Sequence, residues 1–223
     1  MQNKIFVIEG TDGCGKQTQS IRLVERLRCL GYETKLQSFP NYSSASSGAL
    51  KMYLGGELSD KADGVNPFAA SILFEADRIC TMIEYNDFLQ SGGVLVLDRY
   101  MESNFIHQGV KFQTNEEKIF YEKFFSKLDY EFVKIPKPAC VFFLNMPPDV
   151  SKKLRENRGV LKSGEKKDIH EQDEEYMKKA YLHGLEVAKR NAWKIIDCVE
   201  NGSIKSIDEI SNEIFAVVQG YLK

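Results

Sequence analysis

The segment from Gly10 to Lys16 (GTDGCGK) is the feature that most constrains the fold of this 223-residue chain. It has the spacing G-x-x-x-x-G-K and stands directly between an apolar run, Lys4–Glu9, and a stretch with helical spacing of apolar residues that begins at Thr18. In that context the glycines let the backbone curl so that several N–H groups point inward, and the helix N-terminus adds positive potential. The Lys16 ammonium can then neutralise phosphate oxygens. The segment therefore predicts a phosphate-binding loop between a buried strand and a helix.

The residue after the loop lysine departs from the usual pattern. Gln17 stands where Ser or Thr normally supplies a hydroxyl to Mg²⁺. Thr18 follows one position later, and successive helical residues point about 100° apart, so its hydroxyl faces another direction. We therefore expect a metal ion here to be held by phosphates, water and Asp98 rather than by Gln17.

Strand-like and helix-like segments alternate along the whole chain. Strands are predicted at Lys4–Glu9, Glu33–Ser38, Val94–Leu97, Ala139–Leu144 and Trp193–Val199. Helices are predicted at residues 18–30, 50–54, 68–90, 116–128, 150–158, 169–190 and 206–222. The short apolar runs are continuous rather than alternating, as in strands buried on both faces. The pattern predicts an α/β fold with a five-stranded parallel sheet and helices on both faces, in one domain spanning residues 1–223.

Composition excludes several classes of protein. Lys plus Arg is 30 and Asp plus Glu is 32, giving a net charge of −2, which argues against a general nucleic-acid or anionic-membrane binder. No apolar run is long enough for a transmembrane helix, and the N-terminus shows no signal-peptide pattern. The five cysteines are odd in number and form no CxxC pair, so we expect reduced thiols, no zinc site and a cytoplasmic location.

Two further groups of residues carry chemistry. Asp98 and Arg99 follow the third predicted strand, where an acid can contact Mg²⁺ and a guanidinium can fork onto phosphate, although a structural ion pair would show the same pattern. Phe74 and Arg78 share one helix face, which suits stacking on a base and hydrogen bonding to its edge. Taken alone, that spacing is more typical of one core residue and one surface residue.

Five motifs in order make a resemblance specific: EGTDGCGKQTQ, FPNY, NPFAASILFEADR, DRYMESN and KSGEKKDIHE. Together they resemble the thymidylate kinases, P-loop nucleoside monophosphate kinases that phosphorylate dTMP to dTDP with ATP and Mg²⁺. The resemblance implies a P-loop NTPase fold with a lid over ATP at about residues 155–168, and a homodimer. It implies no nucleic-acid or membrane partner.

The resemblance also implies roles for individual residues. For catalysis it implies Lys16, Asp12, Asp98, Arg99 and the lid residue Arg158, with Asp98 also at the metal. For ATP it implies Gly10, Thr11, Asp12, Gly13, Cys14, Gly15, Lys16, Gln17, Thr18, Arg155 and Arg158. For dTMP it implies Asp12, Phe39, Pro40, Tyr42, Phe74, Arg78, Arg99, Ser103, Asn104 and Gln108. Many relatives carry an Arg beside the Phe-Pro pair, whereas this chain has Asn41 and Tyr42.

Alternatives stay open at this point. A deoxynucleoside kinase would need a carboxylate base, for which Glu9 is the candidate. A nucleotide-binding regulator without catalysis would explain Gln17. His107 fits either the base pocket or a packed core, and Asp12 either the substrate or a solvated turn. Cys14 is either a small loop filler or a redox-sensitive thiol with a lowered pKa.

Overall fold

The computed structural model of this chain describes residues 4–59, 61, 64–157 and 174–222. Five strands of the described chain form one parallel sheet in the order β2-β3-β1-β4-β5. The strands are β1 (Ile5–Glu9), β2 (Thr34–Ser38), β3 (Val94–Asp98), β4 (Cys140–Asn145) and β5 (Lys194–Asp197). The prediction of a five-stranded parallel sheet is confirmed.

Helices cover both faces of the sheet. They are α1 (Lys16–Cys29), α2 (Gly48–Leu54), α3 (Pro67–Glu84), α4 (Asn86–Gln90), α5 (Glu102–His107), α6 (Asn115–Lys127), α7 (Pro148–Asn157), α8 (Glu174–Arg190) and α9 (Ile207–Gln219). A small antiparallel pair, β6 (Val199–Glu200) and β7 (Ser203–Ile204), lies between β5 and α9. No helix in the described part of the chain is both long and apolar enough to cross a bilayer.

The central strand shows why its apolar run is continuous. Phe6 and Ile8 of β1 pack in a core with residues of α1 and α9, whereas Ile5 and Val7 pack in a second core with residues of α4, α5 and α6. All four side chains are fully buried. Since successive strand residues point to opposite faces, a strand between two helical layers must be apolar at every position.

Helix termini follow local sequence signals. Asn66 caps α3 by accepting hydrogen bonds from the N–H groups of Phe68 and Ala69, and Pro67 occupies the first turn. Thr114 and Ser206 form capping boxes with Glu117 and Glu209. These short-range bonds explain why the predicted starts of α3, α6 and α9 are close to the observed ones.

Two predicted elements differ from the structure, and one short helix was not predicted. The single helix predicted at 68–90 is two helices, because Tyr85 bonds through its N–H to the Met82 carbonyl and through its phenol to Gln37 of β2. The strand predicted at Trp193–Val199 ends at Asp197, and Val199 starts the β6–β7 pair. Helix α5 was not predicted, because six residues are too few to show periodicity.

Candidate active site

A cavity of about 480 Å³ opens at the carboxyl ends of β1, β2 and β3. This is the edge where α/β sheets place ligands. Its walls come from the phosphate loop, the loop after β2, helix α3, the turn after β3 and helix α5. The predicted site residues that line it are Asp12, Gly13, Gly15, Lys16, Gln17, Thr18, Phe39, Pro40, Tyr42, Phe74, Arg78, Asp98, Arg99, Ser103, Asn104 and Gln108.

The phosphate loop has the backbone that its glycines permit. Gly10, Gly13 and Gly15 have φ values of 146°, 82° and 97°, where other residues are strained. A Cβ on Gly10 would also lie 2.7 Å from the Cys14 sulfur. Gly10, Thr11 and Cys14 do not line the cavity, so any contribution of theirs to phosphate binding comes from the loop conformation.

Asp12 links the phosphate loop to the turn after β3. Its carboxylate pairs with the Arg99 guanidinium, and its Oδ1 lies 3.6 Å from Lys16 Nζ. Lys16 Nζ also donates to the Thr11 carbonyl at 3.0 Å. Burial alone would raise the pKa of Asp12, but Arg99 and Lys16 outweigh it and hold that pKa well below its ordinary value. Asp12 is therefore an ionised bridge between two cations.

Arg99 is held in an unusual conformation. Its φ of 69° lies in the left-handed region, which is uncommon for a residue other than glycine. Its Nη1 lies 3.3 Å from Ser103 Oγ and 3.1 Å from His107 Nε2. Burial would lower the pKa of Arg99, but Asp12 and Glu9 raise it above its ordinary value. The guanidinium is thus a permanent cation whose direction is set by several contacts.

His107, for which the sequence left two interpretations, lines the cavity and contacts Arg99. This placement favours the base-pocket interpretation over a packed core histidine. Its position on α5, one turn beyond Ser103, is what brings it there.

The oxygen ligands that the protein offers here can hold a magnesium ion only together with substrate phosphates. Asp98 lines the cavity with Lys16 and supplies a carboxylate. In the described ranges no group of three or more His, Cys, Asp or Glu side chains is close enough to hold a metal. Mg²⁺ typically binds one or two carboxylates, water and substrate phosphates, which matches this arrangement.

The far end of the cavity is lined by an aromatic ring and three polar groups. Phe74 stands edge-on to Tyr53, with ring centroids 6.1 Å apart. Among the described residues, Arg78 Nε, Asn104 Nδ2 and Gln108 Oε1 are buried without a hydrogen-bond partner. Arg78, Asn104 and Gln108 therefore give the far end of the cavity polar side chains beside the ring of Phe74.

Behind this wall lies a charged cluster that the sequence did not reveal. Arg78 Nη2 bonds to Glu75 Oε2 at 2.5 Å and lies 3.6 Å from Asp129 Oδ2. Burial raises the pKa of Asp129 to about 8, with Arg78 opposing and Glu75 reinforcing the rise. Arg78 is 2% exposed, so Glu75 and Asp129 fix its orientation.

The loop after β2 is anchored to α3. The Asn41 N–H donates to Asp77 Oδ2 at 2.7 Å, and its side chain donates to Thr81 Oγ1 at 3.1 Å. Asn41 therefore holds the loop against α3. Asp77, a lining residue that sequence reasoning missed, also accepts from Ser46 Oγ at 2.9 Å. Its place beside Arg78 in the motif was the available signal.

Cys14 is a packing residue. It is 2% exposed within the core under α1, and burial raises its pKa. A redox-sensitive thiol needs the opposite shift. The loop-filler interpretation is therefore favoured.

The lid prediction falls mostly outside the described residues. Arg155 lies in the last turns of α7. Arg158 and the remainder of the segment to residue 168 lie outside the described residues, so their predicted roles stay predictions.

Comparisons with known proteins agree with this geometry. A family model described as thymidylate kinase matches residues 8–214. The human thymidylate kinase is 34% identical over 142 residues, which cover 64% of this chain and 60% of the human protein. The thymidylate kinase of Plasmodium falciparum (isolate 3D7) is 30% identical over 213 residues, covering 96% and 88% of the two chains. That of Danio rerio is 26% identical over 212 residues, covering 94% and 87%.

Proposed function

Since the chain belongs to the thymidylate kinase family and phosphorylates dTMP to dTDP, we propose that this cavity transfers the γ-phosphoryl group of ATP to the 5′-phosphate of dTMP with the aid of Mg²⁺. The far end of the cavity takes the thymine, and the phosphate loop takes the phosphates of ATP. The Asp12–Arg99 pair lies between them, where the two phosphate groups meet.

The observation that carries this proposal is the placement of Arg78, Asn104 and Gln108 around Phe74 in the wall of the cavity. Thymine presents an acceptor, a donor and an acceptor along one edge, at O4, N3–H and O2. Arg78 is a donor, and the amide groups of Asn104 and Gln108 can each donate and accept. Cytosine presents an amine and an unprotonated ring nitrogen instead, so hydrogen bonds arranged for thymine would not form with it. Phe74 lines the same end of the cavity, and its ring would stack on the base.

The chemistry needs positive charge rather than a base. The acceptor is a phosphate, which is already an anionic nucleophile, so catalysis consists of positioning and charge neutralisation. Lys16 would hold the transferring phosphoryl group, and Arg99 would hold the acceptor phosphate. Asp98 would hold Mg²⁺ together with water and phosphate oxygens, and the metal would neutralise charge on the phosphates. A lid at about residues 155–168 would exclude water from the site. Arg158, and then Arg155, are the candidates for the lid arginine that contacts ATP. Lid and site would belong to a single domain, residues 1–223.

The deoxynucleoside kinase alternative is disfavoured by Glu9. That reaction needs a carboxylate that can take a proton from a sugar hydroxyl. Glu9 is fully buried and does not line the cavity, and both of its oxygens accept hydrogen bonds from the protein. The regulator alternative is disfavoured because Asp98 and Arg99 line the cavity beside Lys16, so a carboxylate for the metal is present despite Gln17.

A substrate panel tests the proposal. We expect purified protein with ATP and Mg²⁺ to form diphosphate from dTMP and from dUMP, which presents the same edge, and at least about 10³-fold less from dCMP or dGMP by kcat/KM. Coupled release of ADP gives the rates. Monophosphate formed from thymidine would support the nucleoside kinase, and nucleotide binding without transfer would support the regulator.

We also propose that the chain forms a homodimer through α3. The exposed residues of this helix are apolar along nearly its whole length: Ala69, Ile72, Ala76, Cys80 and Ile83. The face continues onto α6, where Phe120 is 62% exposed and contacts Phe68 of α3. An apolar face of this extent is typical of an interface, and its small residues allow two helices to approach closely.

Light scattering tests this interface. We expect the wild-type chain to have twice its 25.5 kDa mass, and Ala76→Glu to shift it to monomer because it buries a charge between helices. Leu30→Glu is the matched control, since Leu30 is 57% exposed at the end of α1 and should leave the mass unchanged. A wild-type monomer at micromolar concentration, or an Ala76→Glu dimer, would contradict the proposed face.

We further propose a cytoplasmic location. The support is that all five cysteines are free, with Cys29 and Cys80 exposed. Thiols of this kind fit a reducing compartment.

A further inference from the structure

Glu9 is a buried carboxylate to which the proposed reaction assigns no role. It accepts two hydrogen bonds from the turn that contains Arg99. Its Oε1 accepts from the Tyr100 N–H at 2.9 Å, and its Oε2 accepts from the Ser103 hydroxyl at 2.7 Å. The two donors lie on the C-terminal side of Arg99, whose own N–H donates to the Ile8 carbonyl at 3.1 Å. The end of β1 therefore holds both sides of a turn that contains a left-handed arginine.

These bonds also fix the direction of the arginine side chain. Ser103 has one hydroxyl proton, and it is directed at Glu9. The Ser103 oxygen is then left to accept from Arg99 Nη1 at 3.3 Å. The resulting chain runs from the guanidinium through the serine to the buried carboxylate. Ser103, predicted to contact substrate, is thus placed to act on it through Arg99.

We propose that Glu9 is a positioning residue for phosphoryl transfer, which holds the Arg99 guanidinium towards the acceptor phosphate through Tyr100 and Ser103. This inference rests on the proposed function, since it assigns the acceptor phosphate to Arg99. Left-handed residues other than glycine persist where their surroundings determine them, and at this turn the Glu9 carboxylate supplies two of the bonds.

The protonation state of the Glu9 carboxyl should change near neutral pH and alter its hydrogen bonds around Arg99. Burial raises its pKa to about 7, although Arg99, Ser103 and the Tyr100 N–H lower it, and Glu102 adds to the rise. Above that pH both oxygens are acceptors. Below it one oxygen carries a proton and can no longer accept, so one of the two bonds is lost or reversed. The arrangement around Arg99 is therefore complete above about pH 7 and weakened below it.

The test is the pH dependence of kcat at saturating dTMP and ATP, from pH 5.5 to 8.5. We expect wild-type kcat to fall as the pH drops through about 7. Glu9→Gln should lower kcat at pH 8 by about 10²-fold, since displacing a positioned group by about 1 Å costs this much, and its remaining pH dependence should lack this transition. Ser103→Ala should move the transition to higher pH, because it removes a hydrogen bond that lowers the Glu9 pKa. Ser103→Thr keeps a hydroxyl at this position and should return the transition to its wild-type pH.

Controls separate this inference from the proposed function. Glu33→Gln is the matched variant, since Glu33 is exposed before β2 and should behave like the wild type. Wild-type protein without dTMP kinase activity would overturn the proposed function itself. An active wild type, with Glu9→Gln within twofold of it and with the same pH profile, would overturn the role of Glu9 alone. If Glu9→Gln does not fold, an unchanged transition in Ser103→Ala overturns the role.

Discussion

Replacing Lys16 with alanine is expected to lower kcat by at least about 10³-fold, which corresponds to about 4 kcal/mol of transition-state stabilisation. Lys16 is 7% exposed at the start of α1, in the wall of the cavity. A charge in such a site is screened little by water, so its interaction with a transferring phosphoryl group is strong. The measurement is steady-state release of ADP at saturating dTMP.

The fold and the dTMP site should survive this substitution. Asp12 keeps its pairing with Arg99, so the turn after β3 stays connected to the phosphate loop. We expect unchanged circular dichroism, a dTMP Kd within about threefold of wild type, and weaker ATP binding. Lys189→Ala, which removes an exposed lysine at the end of α8, is the matched control. Substantial turnover by Lys16→Ala would show that the loop lysine is not the catalytic cation.

The part of the site that could be predicted from the sequence lies where local signals decide the structure. The spacing of Gly10, Gly13 and Gly15 predicts the loop, and all three have the positive φ values that glycine permits. The apolar run before them forms β1. Asp98 and Arg99 follow a parallel strand, and parallel strands bring their carboxyl ends to one edge. The phosphate loop and the Asp98–Arg99 pair therefore line the same cavity.

The unpredicted part depends on contacts between distant segments. Asp129 lies in a π-helical segment, Leu128–Val133, far along the chain from Arg78, and no periodicity links the two. Glu9 was considered as a base because it precedes the loop, but its partners Tyr100 and Ser103 become neighbours only when β3 pairs with β1. Likewise, the contact between Tyr85 and Gln37 accompanies a helix break that propensity could not predict.

Arg99 is the position where the second large loss is expected. Arg99→Met should lower kcat/KM for dTMP by about 10³-fold, because it removes a guanidinium suited to gripping a phosphate through two hydrogen bonds. The variant should change the kinetic constants for dTMP far more than those for ATP, and the KM for ATP should stay within about threefold of wild type. Initial rates over a matrix of both substrates measure the split.

Arg99→Lys distinguishes charge from geometry at this position. Lysine keeps the positive charge beside Asp12 but lacks the planar fork that contacts Ser103 and His107. We expect it to recover about tenfold of the activity lost in Arg99→Met and no more. Arg22→Met is the control, since the Arg22 side chain is 45% exposed and pairs with Asp208 at the surface of α9. Full activity in Arg99→Lys would mean that charge alone suffices, and that the left-handed turn and its bonds to Glu9 serve the fold rather than the reaction.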